Sequence, residues 1–205
     1  MKKLALFAAG SCLLAPGFGS AQELGHKGDA IFSAERLMGI AATHEFEEGP
    51  PDRNQDVTAV SFGWRLAASP YETPRVAFDY VVLDQFSIGG SLGYASYAPD
   101  GGNNVSLFLL SGRAGFLHSF SHVIAIWPRG GFTYHNVSTD PNRSENGFGL
   151  DLECPFTFSP TAHFAFEVGP AFDIDLFGKN DPGDPPSVNH NWRSFGIHAG
   201  LLGWL

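Results

Sequence analysis

HFAFEVGPAFDIDLF, residues 163–177, decides the fold. Phe164, Phe166, Val168, Pro170, Phe172, Ile174 and Leu176 fall on one side, and His163, Ala165, Glu167, Gly169, Ala171, Asp173 and Asp175 on the other. Successive side chains of a β-strand point to opposite faces, so this segment has one greasy face and one that is small or acidic. It is long for a strand of a soluble sheet and too apolar on one side to face water. A wall with lipid outside and a polar interior suits it.

The pattern recurs. Val76, Phe78, Tyr80 and Val82 alternate with Arg75, Ala77, Asp79 and Val81, and Phe86, Ile88, Leu92 and Tyr94 with small residues. Segments 108–116, 124–135, 148–158 and 195–205 repeat the theme, placing Arg113, Trp127, Arg129, Asp151, Glu153 and His198 on the inner side. Phe32 to His44 alternates less cleanly, with Glu35 assigned inside and Ile40 outside, and a bulge is expected there. These segments predict about eight strands of a single, up-and-down antiparallel transmembrane barrel. Val57 to Leu66 is also strand-like. Both ends of such a barrel lie on one side of the membrane, so the strand number must be even. Residues 57–66 are therefore placed in a long first external loop, residues 47–73, as a hairpin above the membrane. The connections support the orientation: those near residues 84–85, 119–121 and 159–161 are short, while 98–104, 138–145 and 178–191 are longer and polar.

Composition agrees. Charged residues are 16% of the chain, against about a quarter in soluble domains. Lys2 and Lys3, the apolar stretch from Leu4 to Leu14 and the small residues Gly19-Ser20-Ala21 read as a signal peptide over residues 1–21, leaving 22–205 as the barrel domain. Removing those two lysines takes the formal charge from −9 to −11, an acidic balance that argues against nucleic acid as a partner. Cys12 falls within the signal, so Cys154 has no intrachain disulfide partner. No apolar run is long enough for a spanning helix.

A barrel of about eight strands has an interior filled by side chains. The turns set an approximate register in which Arg113 and Arg129 are neighbours, Arg129 lies opposite Glu153, and Glu167 comes near Glu153. Two adjacent arginines repel, so acids must flank them. Asp79, Arg113, Arg129, Glu153 and Glu167 are therefore expected to form a lumen ion network, because buried charges are tolerated only when paired. Pro128, Pro155 and Pro170 fall inside the strand segments at a similar height, where proline removes a ladder hydrogen bond. His163, His198, Asp173 and Asp175 face inward without a metal-ligand spacing, so neither a metal nor another cofactor is expected.

Particular segments resemble bacterial outer-membrane β-barrel proteins of the short OmpA/OmpX-like class, and more closely barrel proteins of myxobacterial type. They are Ala34-Glu35-Arg36-Leu37, Phe78-Asp79-Tyr80, the run from Ser87 to Tyr94, Trp127-Pro128-Arg129-Gly130-Gly131, and Gly200 to Leu205. The chain departs from that class in ending Trp204-Leu205 rather than in an aromatic residue. The resemblance implies the fold and an outer-membrane location; it carries no catalytic motif. The expected function is a non-enzymatic, monomeric integral outer-membrane protein of structural, adhesive or surface-interaction type. Outer-membrane lipid would surround it, and external partners would meet loops 47–73 and 178–191. Two alternatives are a soluble secreted lipocalin-like barrel, with its apolar face inside, and an outer-membrane lipid hydrolase using Ser194, His190 and Glu145.

Overall fold

The computed structural model describes residues 24–49, 52–67, 69–98, 103–139, 143–181 and 187–205. The signal peptide assigned to residues 1–21 lies outside them, as do residues 182–186 of the last external connection. Twelve strands form one antiparallel sheet: β1 (Ala30–Glu47), β2 (Arg53–Phe62), β3 (Arg75–Leu83), β4 (Phe86–Tyr97), β5 (Val105–Phe116), β6 (His118–Ser119), β7 (Ile124–Ile126), β8 (Arg129–Thr139), β9 (Ser144–Glu153), β10 (Phe156–Thr161), β11 (Phe164–Asp181) and β12 (Val188–Trp204). Neighbours run β12-β1-β3-β4-β5-β8-β9-β11, and β11 pairs back with β12. The ring is therefore a closed barrel of eight wall strands. The short strands continue longer ones: β6 extends β5, β7 leads into β8, and β10 follows β9.

The breaks in two of these wall strands fall at Trp127-Pro128 and Cys154-Pro155. Each of the three prolines lacks an N–H but keeps its carbonyl in the ladder. Phe116 N donates to Pro128 O, Trp127 N to Pro155 O and Cys154 N to Pro170 O, at 2.9, 2.9 and 3.0 Å. The three form a diagonal row across neighbouring strands. Close approach of the chain at this row requires a missing side chain: a Cβ on Gly169 would stand 2.4 Å from Pro155 Cα.

The bulge in β1 has a specific form. Glu35, Arg36 and Leu37 stand between Ala34 and Met38, where β12 has only Gly200 between Leu201 and Ala199. The two extra residues leave parity unchanged, so Glu35 stays inside and Ile40 outside. What the bulge adds is Arg36. It adopts φ 53°, and both it and Glu35 are buried in the lumen. A flat strand cannot turn two consecutive side chains inward.

Sidedness follows the alternation. Phe32, Phe132 and Phe195 are 53, 52 and 57% exposed on the outer face, while Ala165, Glu167, Asp173, Ser194 and His198 are buried within. A lipocalin-like arrangement needs the reverse, so that alternative fails. Two details of the sequence reading are corrected. His163 lies in the exposed turn before β11 rather than on its inner face. Residues 178–181 and 188–191, assigned to a loop, continue the β11–β12 ladder, with Lys179 opposite Asn189.

The first external connection carries structure of its own. β2 pairs with β1 from Glu47–Arg53 to Met38–Phe62, while β3 occupies the same edge of β1 only from Ala30 to Glu35. The hairpin therefore runs down alongside the wall instead of only rising above it. After it, the chain turns inward. Pro70–Glu72 forms a single 3-10 turn capped by Ser69, whose hydroxyl accepts from Tyr71 N at 3.2 Å. Ser69, Tyr71, Glu72 and Thr73 are all buried.

Candidate functional site: the filled lumen

Three layers fill the interior. At the short-turn end, Leu24, Ile31, Val81, Leu117, Trp127, Ala165, Leu202 and Trp204 form an apolar floor. The segment before β1 is tied beneath it, with Gly28 N donating to Val81 O at 2.9 Å and the Asp29 carboxylate accepting from Gly25 N and His26 N.

Above the floor lies the ion network. Arg113 on β5 grips Glu35 with both terminal nitrogens, at 2.8 and 2.6 Å, and reaches Asp79 on β3 at 2.5 Å. Arg129 on β8 donates to Glu35 at 2.9 Å and to its cross-strand partner Glu153 at 2.7 Å. Glu167 lies 3.5 Å from Arg129. The structure thus brings together Asp79, Arg113, Arg129, Glu153 and Glu167, the residues singled out in the sequence. Arg113 and Arg129 are offset by two positions, since Arg129 pairs with Gly115. Their mutual repulsion is offset by Glu35, which both hold. Arg129 also lies over the Trp127 ring, 4.5 Å from its centroid, which joins the network to the floor.

The network is larger than the expected five. Glu35 is its hub, and Arg36 joins Glu153 at 2.7 Å to Asp173 at 2.8 Å. Arg75 pairs with Asp151 at 2.9 Å. These charges are buried, so each arginine holds carboxylates that water cannot solvate. The space left among Glu35, Arg36, Arg129, Glu153, Glu167 and His198 is a cavity of ≈ 20 Å³, about the size of one water.

The third layer is the 69–73 turn. The Tyr71 carbonyl accepts from Arg36 at 2.5 Å and from Arg75 at 3.0 Å. Its hydroxyl donates to Asp175, which also lies 3.1 Å from His135 Nε2 and accepts from Trp192 N at 2.8 Å. Burial and the Asp175 carboxylate hold the Tyr71 phenol above its ordinary range, so it remains a donor. Glu72 accepts from the Ser194 hydroxyl and lies 3.3 Å from His198. A Cβ on Gly149 would strike the Tyr71 hydroxyl, so this glycine makes room for the turn.

The hydrolase grouping is not assembled. His190 and Ser194 are four residues apart on one face of β12, hence about 13 Å apart at ~3.3 Å per residue. Ser194 is buried and spends its hydroxyl on Glu72 and Thr43. His190 contacts Glu45 and Glu145 instead.

Comparison with known proteins bears on the fold alone. No protein-family model matches the chain, and no curated protein matches it. Among solved structures, the chain is similar to the outer membrane protein OprG from Pseudomonas aeruginosa, with 11% identity, a TM-score of 0.52, and coverage of 90% of this chain and 99% of that one. It is also similar to Neisserial surface protein A, at 12% identity and TM-score 0.49, covering 86% of this chain and 97% of that one. Ail, the attachment invasion locus protein of Yersinia pestis, shows 11% identity and TM-score 0.44 over 86% of this chain and 99% of that one. The fold is that of a short outer-membrane β-barrel.

Proposed function

We propose that this protein is an integral protein of a bacterial outer membrane, a closed barrel that anchors a structured surface and neither conducts nor catalyses. The observation that carries this reading is the lumen, filled in succession by an apolar floor, a ring of mutually paired charges and an inward-folded turn. A filled eight-stranded barrel leaves the membrane crossing to serve as scaffold. The outward phenylalanines supply the lipid contact, and residues 1–21 direct export of the barrel domain, residues 22–205. The surface that remains for interaction is the end carrying the long connections. There the first external connection stands beside the outer end of β12, with Glu48 N donating to Asn189 O at 3.0 Å.

The test is direct. Protein extracted from outer membranes in detergent and reconstituted into planar bilayers is expected to give no discrete current steps, and to migrate differently on gels before and after boiling. Reproducible unitary conductance would overturn the closed-barrel reading. Release from cells by osmotic shock without detergent would overturn the membrane assignment.

A further inference from the structure

At the barrel's outer mouth, charge is arranged differently from the middle. Glu45 and Glu47 lie two apart on one face of β1, and Glu47 is the direct cross-strand partner of His190 on β12. One ligand atom from each of the three lies within 4.8 Å of the others. His190 is buried, its Nε2 standing 2.8 Å from Glu45 Oε1. Its Nδ1 lies 3.0 Å from Glu145 Oε1 on β9, the strand beyond β11, yet makes no hydrogen bond of acceptable geometry. Trp192 packs edge-on against the His190 ring at 5.2 Å and donates to Glu145. A buried imidazole with an unsatisfied nitrogen is set among three carboxylates, and the ion pairs there among the described residues include no guanidinium, unlike those of the Arg113–Arg129 network below. Arg53, opposite Glu47 across the hairpin, is an exposed side chain on the outer strand.

We propose that Glu45, Glu47 and His190 form a binding site for a divalent metal ion of the zinc class, with Glu145 as the outer carboxylate that orients the imidazole. Two carboxylates and one imidazole are a borderline donor set, favouring zinc-like ions over calcium or magnesium, which prefer all-oxygen sites. The three ligand atoms, already within 4.8 Å of one another, would have to close on an ion at metal–ligand distances of ~2.0–2.2 Å. A ligating histidine commonly gives its second ring N–H to a carboxylate, and Glu145 stands at that position. The ion would tie β1 to β12 at the rim, where the ring of strands is least supported by the lumen below. Water can reach the mouth, so exchange is open.

The experiment uses the full chain, without a histidine tag, extracted in detergent and stripped with chelator. ZnCl2 is titrated by calorimetry and by tryptophan fluorescence. The expected result is one zinc per chain, resistant to excess CaCl2 or MgCl2, with a fluorescence change that Trp192→Phe removes while stoichiometry stays. His190→Ala should abolish binding, and Glu145→Gln should weaken it about 10- to 100-fold. His118→Ala, at an exposed histidine of the opposite end, should change nothing. Should His190→Ala fail to give the heat-modifiable folded form, Glu47→Gln decides, and it is expected to weaken zinc at least about tenfold. No saturable binding, binding indifferent to both Glu47→Gln and Glu145→Gln, or equal displacement by calcium would each overturn the site; the last would mean an acidic mouth attracting cations in general.

Discussion

The middle of the lumen and its mouth are built from the same inward-facing acids but neutralise them by different means. In the middle, Glu35, Asp79, Asp151, Glu153 and Asp173 each touch a guanidinium within 3 Å. At the mouth, Glu45 and Glu145 share a single imidazole and Glu47 stands beside it. The difference follows depth. Enclosed by lipid and protein, a carboxylate has no solvent to fall back on and must be held by partners, a guanidinium in the network or, for Glu72 and Asp175 in the turn layer, hydroxyl, backbone and imidazole groups. At the rim, water and dissolved ions share the task, so the protein can leave the charge exchangeable. The middle thus belongs to the fold, and the mouth is free to belong to function.

The strongest attempt to break this contrast is Arg129→Ala. It strands Glu167, leaves Glu153 chiefly to Arg36 and halves the hold on Glu35, and it should cost about 3–5 kcal/mol, as loss of one partner from a buried ion cluster does. Urea-dependent folding in detergent measures it. Adding Glu167→Gln should return part of the loss, because Glu167 has one oxygen without a hydrogen bond and Arg129 as its cation. A double-mutant cycle isolates that coupling. If Arg129→Ala unfolds no more readily than wild type, the middle is no more demanding than the mouth and the comparison fails.

How much of this was readable from the sequence depends on parity. Asp79, Arg113, Arg129, Glu153 and Glu167 sit at inward positions of regular strands, and the cross-strand pair Arg129–Glu153 follows from counting back from one connection. Arg36 was hidden because strict alternation from Glu35 points it at lipid. A signal existed: an arginine facing the bilayer midplane costs ~2–4 kcal/mol, so its placement there was itself an argument that the bulge turns it inward. The 69–73 turn was hidden for another reason. Its burial depends on contacts with Arg36, Arg75 and Asp175, far along the chain, and nothing local distinguishes Pro70-Tyr71-Glu72 from an exposed turn. The mouth cluster likewise joins residues 145 positions apart, a spacing no motif records.

A second test probes the packing around the network instead of its charge. Gly169→Ala places a methyl against Pro155 Cα and Cys154 O, both backbone atoms within 2.5 Å. The proline row must shift, and overpacking of this kind costs about 1–3 kcal/mol. The same substitution at Gly112, where a Cβ meets nothing within 4 Å, should cost well under that in the same urea assay. Equal effects at the two glycines would show that the proline row is slack and does not hold the network in register.

The smallest expected effect sharpens the contrast most. Glu45→Gln removes one carboxylate from a site whose charge is partly shared with water; the Glu45 side chain is 27% exposed. In chelator-treated protein its effect on stability should stay within about 1 kcal/mol, the range of solvent-exposed ion pairs. Salt then separates the two regions. At 1 M salt the screening length falls to about 3 Å, so the effect of Glu45→Gln should shrink further, whereas that of Arg129→Ala, enclosed by protein on every side, should persist. A mouth substitution whose cost ignored salt would mean that the rim is as sealed as the middle, and an ion could not exchange there.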